Sequence, residues 1–127
     1  MGKSILIIDD DSYVRNSLKQ VLEFHGYKVY EARNGKEGIE AYRRINTDIV
    51  LTDIYMPDKD GLETLREIKK EFPDAKIIVM SGFYQSNMDF FEVARSLGAI
   101  VCINKPFTAD DIIEVVDSTL EGKAACS

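Results

Sequence analysis

Residues 4–15 read SILIIDDDSYVR, an unbroken apolar run followed at once by three carboxylates, Asp9, Asp10 and Asp11. The run shows no alternation of apolar and polar side chains. A strand built from it buries both faces, which is the habit of a parallel strand covered by helices on each side. The acids that follow repel one another, and burying carboxylates is costly. The strand must therefore end at a polar rim, where something offsets the repulsion.

Working outward, four more runs have strand character: KVYEA (28–32), DIVLT (48–52), KIIVM (76–80) and AIVCIN (99–104). Three of these are continuous in Ile, Leu and Val, whereas KVYEA is more polar and alternates, as an edge strand does. Helical patterns separate them. Val14, Leu18, Val21 and Leu22 recur at helical spacing until His25-Gly26. Asn34 is suited to cap a helix carrying Ile39, Tyr42 and Ile45, and Leu62, Leu65, Ile68 and Phe72 form a third stripe stopped by Pro73. Met88, Phe91, Val93 and Leu97 mark a fourth helix with Gly98 after it. Thr108 caps a fifth, with Asp111 placed to complete a capping box and Ile112, Val115, Val116 and Leu120 facing inward.

The alternation predicts a single-domain α/β protein, (βα)5, with a doubly wound five-stranded parallel sheet and right-handed crossovers. The common five-strand solution is the flavodoxin-like order 2-1-3-4-5. The domain is expected over 3–121, with a frayed tail at 122–127. Too few residues follow Lys105 for an output domain, so a stand-alone unit or one excised from a longer regulator is expected.

Composition narrows the function. The net charge is −6 over 127 residues, so no basic footprint for direct nucleic-acid binding is available. No apolar run approaches about 18 residues, so no membrane insertion is expected. Cys102 and Cys126 form no CxxC pair, which fits a reduced, cytoplasmic protein. Gly2-Lys3-Ser4 matches the end of a P-loop but lacks its upstream glycine, and is read as chance.

In a doubly wound sheet, ligands bind beyond the carboxyl ends of the strands. Just past the apolar runs lie Asp9, Asp10 and Asp11, then Asp53, Ser81 and Lys105. Each alone reads as a helix cap or loop residue. Together they bring carboxylates, a hydroxyl and a lysine to one rim. Clustered carboxylates suit Mg²⁺, with Mn²⁺ as an alternative. An ionised carboxylate can itself attack a phosphoryl group, while cationic and hydroxyl groups stabilise the phosphoryl oxygens.

With IIDDD, LTDIYMPDKDG, VMSG and KPF in order, each at a strand end, the chain resembles the receiver domain of two-component response regulators, of the chemotaxis type. The resemblance extends over roughly residues 3–120. It implies that Asp53 is the phosphoacceptor, taking a phosphoryl group from a phosphohistidine on a sensor histidine kinase or histidine phosphotransfer protein. It implies that Asp9, Asp10, Asp53 and the backbone carbonyl of Tyr55 hold Mg²⁺. It makes Ser81 the switch hydroxyl and Lys105 the partner of the carboxylate or its phosphate, with a cis peptide at Lys105-Pro106. Gly61 fits a turn into the third helix. The output face would be 86–97, 100–104 and 108–120, open to an output protein, an excised effector domain or a homodimer. The only chemistry implied is self-phosphorylation and slow self-dephosphorylation, so the protein is not read as an enzyme acting on external substrate.

Three positions tune this expectation. Cys102 stands where the family often has a Tyr or Phe that reports the switch, and reads as a small buried filler, leaving Ser81 to move alone or Phe83 and Tyr84 to take part. Tyr55 and Phe83, each two residues after a site residue, are aromatics expected to flank the phosphoryl group. Asp11 reads as the cap of the first helix, in competition with Ser12, and His25 as a cation at that helix's end. An alternative reading takes Asp9-x-Asp11-Ser12 for the nucleophile motif of a small haloacid dehalogenase-type phosphohydrolase, with Asp9 as nucleophile. That reading leaves LTDIYMPDKDG without a role.

Overall fold

The computed structural model describes residues 3–53, 61–81, 92, 94–104 and 108–121. Its strands are β1 (Ser4–Ile8), β2 (Lys28–Ala32), β3 (Ile49–Asp53), β4 (Ile77–Ser81) and β5 (Val101–Asn104). They form one parallel sheet in the order β2-β1-β3-β4-β5, as the sequence predicts. The helices are α1 (Ser12–Phe24), α2 (Gly35–Ile45), α3 (Gly61–Glu71) and α4 (Ala109–Leu120), the last being the fifth helix of the sequence pattern. Of the expected helix over 86–97, residues 92 and 94–96 are helical. Met88, Phe91 and Val93 lie outside the described residues.

Side chains alternate across the sheet, so each strand supplies two cores. Leu6, Ile8, Val50, Ile77 and Val79 pack with Ile39 and Tyr42 of α2 and Leu65 and Ile68 of α3. On the other face, Ile5, Ile7, Ile49, Leu51 and Ile78 pack with Leu18 and Leu22 of α1 and Ile112 and Val116 of α4. β2 is an edge strand, and its mixed burial explains its alternating sequence. The Tyr27 hydroxyl donates to the carboxylate of Asp117, tying the turn before β2 to α4. Burial, followed by that bond and the negative charges of Asp117 and Glu121, holds the phenol well above its ordinary range.

The caps follow the sequence closely. Asp11 caps α1, its Oδ1 accepting from the N–H groups of Tyr13 and Val14, so Ser12 becomes the first helical residue. Asn34 caps α2, and Thr108 with Asp111 makes a full capping box on α4. Two strand ends run one residue further than the apolar pattern indicates. Asp53 stands opposite Met80, and Ser81 opposite Asn104. The ladder is made by the backbone, so it continues past the last apolar side chain.

Gly38 places α2 against the end of β1. A Cβ built there would lie 2.3 Å from Cδ1 and 2.8 Å from Cγ1 of Ile8, a side chain with no exposed surface. Gly38→Ala is therefore expected to destabilise by about 1–3 kcal/mol through overpacking, exceeding the gain of roughly 1 kcal/mol in helix propensity. Urea unfolding measures the balance; a more stable variant shows that Ile8 can give way.

Candidate functional site

β1 and β3 are neighbours, with Ile8 opposite Thr52, so their next residues, Asp9 and Asp53, emerge side by side at the carboxyl ends. This is also where the strand order reverses, the point at which doubly wound sheets open a crevice. Asp9 has no exposed surface, Asp53 is 7% exposed and Asp10 faces solvent. One carboxylate oxygen from each of Asp9, Asp10 and Asp53 can be chosen so that all lie within 4.8 Å of one another.

The main chain of Asp9 is held by its surroundings. Its N–H donates to the carbonyl of Ala32, extending the pairing with β2, and its carbonyl accepts from Arg15 Nη1. Its Oδ1 accepts from the N–H of Asp11, at 2.9 Å. Asp11 is turned into α1 as a cap and does not belong to the three-carboxylate group. An all-oxygen set of three carboxylates, two buried and one open to solvent, fits a hard divalent cation that retains waters. Such an ion offsets the mutual repulsion of the acids.

Of the other residues singled out by sequence, Ser81 is the last residue of β4, beside the strand that carries Asp53. β5 ends at Asn104, opposite Ser81 and one residue before Lys105 in the sequence. Gly61 opens α3, and Cys102 belongs to β5, opposite Val79. Lys105, Pro106, Tyr55 and Phe83 lie outside the described residues, as do the side chains of Ser81 and Cys102. Sequence reasoning overlooked Arg15. A basic residue on an amphipathic helix gives no sign of reaching back to the carbonyl of Asp9, and its other partner, Glu31, comes from a different strand.

The fold and site define a class: a doubly wound parallel α/β protein with an acidic, cation-suited cluster at its switch point. The chain belongs to the response regulator receiver domain family, whose match extends over residues 5–117. It is 41% identical to the chemotaxis protein CheY of Thermotoga maritima over 118 residues, covering 92% of this chain and 97% of that protein. It is 31% identical to sporulation initiation phosphotransferase F of Bacillus subtilis, covering 98% of each. Among solved structures, a CheY-like receiver domain protein from Methanospirillum hungatei superposes with a TM-score of 0.90 at 33% identity, covering 96% of both chains. The phosphohydrolase alternative is not supported: the family match is to receivers, and Asp11 of the supposed motif serves as a helix cap.

Proposed function

We propose that this receiver acts in two-component phosphorelay signalling through Asp53. An oxygen of the ionised Asp53 carboxylate attacks the phosphorus of a phosphohistidine on a sensor histidine kinase or histidine phosphotransfer protein. The P–N bond breaks, the imidazole leaves with its electron pair, and an aspartyl phosphate forms. The observation that carries this reading is the meeting of the Asp9, Asp10 and Asp53 carboxylates at the end of the central strands. Asp9, Asp10, Asp53 and the Tyr55 carbonyl would hold Mg²⁺ or Mn²⁺. When bound, the ion supplies positive charge against the phosphoryl oxygens. Lys105 pairs with the carboxylate or its phosphate, and Ser81 hydrogen-bonds a phosphoryl oxygen. The Lys105-Pro106 peptide is cis in this reading, and Gly61 allows the turn into α3. Incubation with acetyl phosphate and Mg²⁺ tests the reading: native protein that takes no label overturns it.

No helix among the described residues is long and apolar enough to cross a membrane. We assign the protein to the cytoplasm, where its donors present their phosphohistidines. Residues 3–121 act as one receiver domain, with 122–127 as a tail. The phosphoryl group adds charge and acceptor oxygens at a single point, and this local change biases two global states. The output face comprises 86–97, 100–104 and 108–120, and its occupant is an effector or a second copy of the chain. Cys102 replaces the usual aromatic of that face, so the switch works through Ser81 without a rotating ring at this position.

Tyr55 and Phe83 are assigned the role of shielding the aspartyl phosphate from water. Tyr55→Asn combined with Phe83→Glu is expected to shorten the lifetime of the label several-fold. Label decay after removal of the phosphodonor measures this, and an unchanged lifetime rejects the shielding role.

A further inference from the structure

Arg15 lies in the first turns of α1, yet its side chain is only 12% exposed. Nη1 donates to the main-chain carbonyl of Asp9 at 2.7 Å, and Nε donates to Oε1 of Glu31 at 3.2 Å. The other oxygen of Glu31 meets Lys19 Nζ at 3.5 Å. Glu31 precedes Ala32 on β2, and the carbonyl of Ala32 accepts from the Asp9 N–H. Asp9 is thus gripped from both sides: β2 holds its N–H, and α1, braced against β2, holds its carbonyl.

That carbonyl belongs to the peptide joining Asp9 to Asp10. The orientation of this peptide plane sets where both carboxylates point. A charge-assisted bond to it from a nearly buried guanidinium is therefore a lever on two of the three acids at once. Only a planar fork serves carbonyl and carboxylate together in fixed geometry; an ammonium acts as a point charge.

We infer that Arg15 is a positioning residue for the acidic site, holding the Asp9–Asp10 peptide so that both carboxylates converge with Asp53 and thereby setting the affinity for a divalent cation. The inference rests on the cation role assigned under the proposed function. A purely electrostatic role for Arg15 makes the opposite prediction. Removing a positive charge near three carboxylates would tighten cation binding, and a lysine would preserve native affinity.

Calorimetric titration of the full chain with Mg²⁺ separates these cases. Arg15→Met is expected to weaken binding about tenfold, the lower end of the range for groups that orient metal ligands. Arg15→Lys keeps the charge but loses the fork, and is expected to remain several-fold weaker than native. Glu31→Gln, which leaves Arg15 in place but loosens its brace, should lie between native and Arg15→Met. Arg43→Met breaks a pair with Glu71, between α2 and α3, and is expected to bind Mg²⁺ as the native chain does. Circular dichroism melts establish that each variant is folded at the titration temperature; if Arg15→Met is not, Arg15→Lys and Glu31→Gln decide. Tighter binding by Arg15→Met, or native binding by both Arg15→Lys and Glu31→Gln, overturns the positioning role alone. A native chain that binds no Mg²⁺ overturns the cation assignment and this inference with it.

Discussion

Asp53→Ala is expected to take no phosphoryl label from acetyl phosphate and Mg²⁺ under conditions in which the native chain is labelled. Three carboxylates share the site, and their positions differ in what they allow. Asp10 is exposed at the rim, and Asp9 is fully buried with one oxygen engaged by the N–H of Asp11. Asp53 ends β3, the middle strand of the sheet, retains 7% exposure and has Asp9 beside it on β1. It combines a fixed direction of approach with access from the rim. Under the proposed function, removing it deletes the nucleophile, so the expected loss is one of label and not merely of rate. The test is label retained after gel separation, with far-UV circular dichroism as the control for folding. Label persisting in Asp53→Ala moves the nucleophile to another residue, with Asp9 the first to test.

The second large effect is on stability. Leu51 has no exposed surface and packs in the core between the sheet and the α1–α4 layer. Leu51→Ala is expected to lose about 3 kcal/mol, the sum of lost transfer energy and the cavity left in a core too rigid to collapse. Against a total stability of roughly 5–15 kcal/mol, that is a large share. Urea unfolding should show a lower midpoint with an unchanged slope. Tyr13→Ala, at a side chain 79% exposed, serves as the contrast and should change little. A loss under about 1 kcal/mol for Leu51→Ala shows that the central strand repacks.

Both effects have roots that are visible in the chain before it folds, but to different degrees. The unbroken run of 5–8 announces a strand buried on both faces, and the two cores on either side of β1 bear this out. Asp11, Asn34 and Thr108 are legible as caps because a side-chain oxygen beside a helix's first N–H groups needs nothing from the rest of the fold. The order β2-β1-β3-β4-β5 is the common solution for five alternating strands and helices with right-handed crossovers, and the sheet adopts it.

Local pattern is weaker on strand ends and on contacts between distant elements. Apolar residues stop before Asp53 and Ser81, yet backbone pairing carries both strands one residue further. That step places Asp53 inside the ladder, in a direction dictated by its neighbours. Arg15 is weaker still as a sequence signal, since its role depends on Glu31 from β2 and on a carbonyl that carries no side-chain identity.

By itself, then, the sequence determined the alternating architecture, the caps and the acids at the ends of the two central strands, because periodicity and turn chemistry are local properties. Only the tertiary structure decided that the Asp9, Asp10 and Asp53 carboxylates come within 4.8 Å of one another and that an arginine from α1 grips the peptide between two of them. Strand register and side-chain reach across elements depend on how separate parts of the chain pack, and no local window contains that information.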